Sequence, residues 1–86
     1  MAVNIDKFLT DVDLPDPITD VFTPTLGQTI FILSQTPSDD NDVQMFVNSI
    51  KTILGTNYTA VGTTVTWLDT PYILDTSDKV EIVYFI

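Results

Sequence analysis

The chain contains no cysteine, no histidine and no arginine, and only three lysines. Without cysteine there is no disulfide and no thiolate metal site. Without histidine, the commonest zinc ligand and the commonest general base are both missing. Lys7, Lys51 and Lys79 stand alone against twelve acidic residues, for a net charge of −9. Phosphate neutralisation needs clustered cations, so nucleic acid is excluded as a partner. Anionic membrane surfaces are disfavoured on the same ground. No run approaches the roughly 20 apolar residues of a membrane-spanning helix. The opening residues, MAVNIDKFLTDVDLPDP, lack the basic start and continuous apolar run of a secretory signal, so export by the general secretory route is not expected.

What is present is one small domain. A chain of 86 residues buries only about 60% of the surface its unfolded form exposes. Small domains without disulfides or metals are often stabilised by oligomerisation. The first part, residues 1–24, carries five of the twelve acids in its first 23 positions. Ile5, Phe8, Leu9 and Val12 fall on one face of a helix, and Asn4 suits its N-cap. The segment DLPDP (13–17) then stops any helix, because a residue before proline is pushed toward extended geometry. So short a helix is marginal alone and must lie on something. Two readings stand: it packs on its own domain, or it is an arm that docks on a partner.

Residues 25–86 read as β. TIFIL (29–33) is a continuous apolar run, which predicts a strand buried on both faces. QTPSDDND (35–42) is a loop. VQMFV (43–47) places Val43, Met45 and Val47 on one face. Asn48-Ser49 is a tight-turn candidate leading into a return strand over 50–54. A second hairpin spans 58–67. Val61 resists positive φ, so a type I turn over Ala60-Val61 with Gly62 as a bulge is expected. DTPYILDTSD (69–78) is a long connection whose Tyr72, Ile73 and Leu74 have no obvious place to pack. KVEIVYFI (79–86) closes the chain, with Val80, Ile82, Tyr84 and Ile86 on one face and Val83 and Phe85 on the other. It is either central in its sheet, or its second face meets another subunit. Val83, Phe85 and Ile86 are accordingly the candidate self-association residues. The predicted fold is all-β: a small antiparallel β-sandwich or open barrel of about six strands, preceded by an N-terminal arm.

Candidate chemistry is sparse. The acids of SDDND (38–42) suit a calcium ion, but the EF-hand order and its bidentate Glu are absent; a solvated turn is the alternative. Asp11, Asp13 and Asp16 read the same way. Serine and threonine are plentiful, yet no histidine activates them, and a paired-carboxylate glycosidase needs a cleft that short loops do not build. No enzyme, cofactor or transition metal is expected. Trp67, Tyr58, Tyr72 and Tyr84 would make a sugar-stacking platform if they lie outside the core.

The segments TLGQTIFIL, VQMFVNSIKTI, NYTAVGTTVTW and SDKVEIVYFI together resemble a β-rich module of tailed-bacteriophage structural proteins, found in tail fibres, head fibres and capsid-associated proteins. The resemblance spans about residues 25–86. Two positions depart from it: Ser49 stands where the module has glycine after Asn48, and Ser77 where it has glycine before Asp78. Within it, Asn48, Tyr58, Gly62 and Asp78 would be turn and packing positions, with no catalytic residue. It implies a non-enzymatic virion component, complete in itself, made without export: a capsid decoration or head-fibre-type protein, trimeric by analogy with fibre-like proteins. Its arm would contact the major capsid protein or another virion structural protein through Ile5, Phe8, Leu9 and Val12. The alternatives are a tail or neck adaptor and a host-glycan-binding module.

Overall fold

Side chains alternate across a β-strand, so a strand with one buried face must bury every second residue. Three stretches do this without a break. Gln44–Val47 buries Met45 and Val47, Thr64–Trp67 buries Val65 and Trp67, and Val80–Phe85 buries Val80, Ile82 and Tyr84. The computed structural model describes residues 17–86. Their strands are β1 (Pro17–Phe22), β2 (Ile30–Ile32), β3 (Gln44–Val47), β4 (Ile50–Lys51), β5 (Tyr58–Val61), β6 (Thr64–Trp67) and β7 (Val80–Phe85), with a single 3-10 turn at Asp40–Asp42. The strands form two antiparallel sheets, of order β1-β7-β3-β4 and β2-β6-β5, as a small β-sandwich. The core between them holds Phe31, Val65, Trp67 and Tyr58 from the three-stranded sheet. Met45, Val47, Val80, Ile82 and Tyr84 come from the four-stranded one, and Leu74 from the β6–β7 connection. The helical stripe predicted at Ile5, Phe8, Leu9 and Val12 lies outside the described residues.

All six predicted strands are present, and a seventh joins them. Residues 17–22, assigned from their sequence to the N-terminal arm, form β1 and pair along their whole length with β7. The β domain therefore begins no later than Pro17, not at residue 25. The alternation of β1 is hidden by Asp20, which occupies an inward position between Ile18 and Phe22. Its carboxylate is accommodated by donors distant in sequence. Oδ2 accepts the Ser34 N–H at 2.8 Å and the Tyr84 hydroxyl at 2.8 Å, and Oδ1 accepts the Ser34 hydroxyl at 2.8 Å. Burial pushes the Asp20 carboxyl up, but these three donors outweigh it and hold it below its ordinary value.

Three further expectations are corrected. TIFIL is not buried on both faces: β2 is an edge strand of three residues, Phe31 points inward, and Ile30 and Ile32 are exposed. Among the described residues no layer covers that side of its sheet. Leu74, predicted to lack a place, is fully buried. Ile86 lies beyond β7 and is exposed, instead of continuing the buried face. Between its two readings, β7 is central in its sheet, flanked by β1 and β3.

The two hairpins use different turns. Val47 pairs with Ile50, which leaves Asn48-Ser49 as a two-residue loop with φ of 53° and 69°. Positive φ at both central positions is the type I′ pattern, which matches the right-handed twist of the flanking strands. In the second hairpin Val61 pairs with Thr64, so the loop is Gly62-Thr63. Only Gly62 has positive φ, at 58°. That is the type II′ pattern with glycine at the first central position, not a type I turn over Ala60-Val61 with a bulge. Val61 stays extended within β5, which removes the steric difficulty.

β4 pairs with β3 over two residues only. Thr52 adds one more contact, its N–H and hydroxyl both donating to the Met45 carbonyl at 2.9 and 2.8 Å, and then the chain diverges. The exposed edge of β3 would be left with unpaired groups. The Tyr58 hydroxyl, reaching across from β5, fills this gap. It donates to the Val43 carbonyl at 2.6 Å. A tyrosine of one sheet thus completes the ladder of the other.

Candidate docking surfaces

The acidic side chains are largely engaged in shaping loops. Asp39 caps the 3-10 turn by accepting the Asn41 N–H at 2.9 Å. Asp40 accepts the Gly62 N–H at 3.0 Å, tying the 35–42 loop to the tip of the β5–β6 hairpin. Asp75 accepts both the N–H and the hydroxyl of Ser77, which hold its carboxyl below the ordinary range. Among the described residues no three of His, Cys, Asp or Glu converge as metal ligands would.

The predicted turn residues Asn48 and Asp78 come together. Asn48 Nδ2 donates to Asp78 Oδ1 at 2.8 Å, and the Lys79 N–H donates to Asn48 Oδ1 at 2.9 Å. Asp78 Oδ2 also accepts the Asp75 N–H at 2.9 Å. The cluster locks the type I′ turn against the entry of β7. Gly62 lies elsewhere, at the far end of the β5–β6 hairpin, with nothing near its Cβ direction.

A groove of about 520 Å³ opens where β4 leaves β3, lined by Asp42, Gln44, Lys51, Thr52, Leu54 and Tyr58 among others. Both hydroxyls on its wall are committed. Thr52 donates to Met45 and Tyr58 to Val43, and burial pushes the Tyr58 phenol up. Neither is placed as a nucleophile or a proton donor to a ligand. The aromatic platform does not form either: Trp67, Tyr58 and Tyr84 are core residues, and of the four only Tyr72 is exposed.

Apolar surface is what the molecule presents instead. On the outward face of the four-stranded sheet, half-buried Val83 and Phe85 of β7 follow Glu81, which Phe46 of β3 and exposed Val21 of β1 flank. Val83 and Phe85 thus share a face, whereas Ile86 lies past the strand end. On the outward face of the three-stranded sheet stand Ile30, Ile32, Thr59, Val61, Thr64 and Thr66, with no charge among them. This uncharged face went unnoticed in the sequence because β2 read as doubly buried. The alternation of β5 and β6 around Ala60 and Val65 was the signal that could have found it.

No protein-family model, curated protein or solved structure matches the chain.

Proposed function

We propose that the protein is a non-enzymatic structural component of a tailed-bacteriophage virion, a capsid decoration or head-fibre-type protein that binds the particle surface. The observation that carries the reading is the distribution of apolar side chains. Eleven large hydrophobic residues are exposed among the described residues, although the core is closed and no buried side-chain polar atom there lacks a partner. A small acidic domain that leaves so much apolar surface in water is suited to a contact with other proteins. The resemblance of four segments to virion modules supports this kind of assembly. The arm, through Ile5, Phe8, Leu9 and Val12, is the proposed anchor on the major capsid protein or another virion protein. Val83 and Phe85 are proposed to pack copies together as a homo-oligomer, a trimer by the same analogy.

Quantitative mass spectrometry of purified particles tests this. A fixed, high copy number per particle is expected. Its absence from particles overturns the proposal, and a copy number matching one ring at the neck favours the adaptor alternative.

A further inference from the structure

β2 enters, β6 leaves and β5 enters at the same end of the three-stranded sheet. Three segments without a basic residue therefore meet there: 25–29, 53–57 and 68–74. They carry Leu26, Ile53, Leu68, Tyr72 and Ile73, all exposed, with Leu26 at 79% and Ile73 at 59%. The backbone beneath is tied together. The Gly27 N–H donates to the Leu74 carbonyl at 2.8 Å, and the Leu68 N–H to the Asn57 carbonyl at 2.9 Å. Asn57 Nδ2 donates to the Thr70 carbonyl at 2.6 Å, and the Trp67 indole N–H to the Tyr72 carbonyl at 2.8 Å. Below this end, Leu74 and Trp67 anchor the loops in the core.

Exposed apolar side chains on loops fixed by hydrogen bonds have little conformational freedom left to lose on binding. Charge decides what they bind. The acids outnumber the bases at this end: Asp69 lies within the loop, Asp75 and Asp78 follow it, and Lys79 comes next after Asp78; the charge of Asp78 is close enough to add to the effect of burial in raising the Tyr72 phenol. A second copy would bring the same acids to the contact. We infer that this end is a docking tip for an apolar groove rimmed by lysine or arginine on a virion protein. The inference rests on the proposed function and adds a second contact to the arm.

The test uses particles of the encoding phage produced without this protein, mixed with the full chain and sedimented, with bound copies measured across protein concentration and at two salt concentrations. Leu26→Asp and Ile73→Asp add acid to the tip at exposed sites; thermal melts establish that each variant is folded. Thr36→Asp adds the same charge on an exposed loop at the opposite end of the sheet. Binding weakened at least tenfold for both tip variants, unchanged for Thr36→Asp, and weaker in high salt is the expected result. Tip variants that bind like the wild type overturn the docking tip while leaving the virion role standing. Equal loss in all three variants overturns it too, since the effect is then general charge. Loss of self-association in Ile73→Asp, with particle binding retained, makes a second copy the occupant and overturns the assignment. A wild-type chain that binds no particles removes the virion role and the tip together.

Discussion

Two tyrosines tie the sandwich together from opposite sides, and they do it with different chemistry. Tyr58 projects from the three-stranded sheet to the β3 edge, where its hydroxyl's partner is a backbone group, the Val43 carbonyl. Tyr84 projects from the four-stranded sheet toward the segment after β2. It donates to the Asp20 carboxylate and accepts the Gln35 N–H at 3.1 Å. Both rings are buried. The first tie is neutral and repairs a ladder that β4 leaves unfinished. The second contains a titrating group and is therefore sensitive to acid. The same side chain can serve either purpose, and the partner decides which.

Removing the hydroxyls separates the two. Tyr58→Phe leaves the buried Val43 carbonyl without this donor, and an unsatisfied buried group costs about 1–3 kcal/mol. We expect the largest loss of the series here, read as a lower denaturation midpoint at unchanged slope; a neutral result would show that β3 finds other partners. Gly62→Val acts on the same side, through the turn that positions β5. Space is open around Gly62, so the cost is conformational, about 1–2 kcal/mol for a side chain forced to left-handed φ. An unchanged thermal melt would refute the positive φ.

Tyr84→Phe should cost less, about 0.5–1.5 kcal/mol. Asp20 keeps both donors of Ser34, and Ser34 and Gln35 are exposed enough to turn to water. A larger loss than for Tyr58→Phe would reverse the comparison. The smallest effect is the most diagnostic. The folded Asp20 carboxyl lies below its ordinary value near 3.8, so its contribution is complete above that value. It disappears as the pH falls from about 4 through the folded value. Asp20→Asn should flatten this part of the acid limb, whereas Tyr58→Phe should only displace the whole curve. Asp75 titrates in the same window, also held low, so Asp75→Asn is the control that keeps its share apart. An acid limb unaltered by Asp20→Asn would show that the second tie is not acid-sensitive.

How much of this was legible follows from where the partners lie. The inward set of β3 and β7 could be read because Val43, Met45, Val47, Val80, Ile82 and Tyr84 alternate without interruption. The turns could be located from Asn48 and Gly62, though the central pair of the second turn was placed two residues too early, since only the register of Val61 with Thr64 defines its loop. β1 could not be read. Two prolines border it, and its inward aspartate breaks the apolar period. That aspartate is tolerated because of Ser34, fourteen residues away, and Tyr84, sixty-four residues away.

The sequence by itself determined the all-β class, the Asn48-Ser49 turn, the acidic charge and the absence of histidine and thiol chemistry, because these depend on composition and on neighbours two residues apart. Tertiary structure alone decided that Pro17–Phe22 is a strand, that Trp67 and Tyr58 are core, and that Leu74 is covered while Ile73 is not. Alternation says which side chains share a face. It does not say whether a second layer or a hydrogen-bonding partner meets that face, and those come from residues distant in the chain.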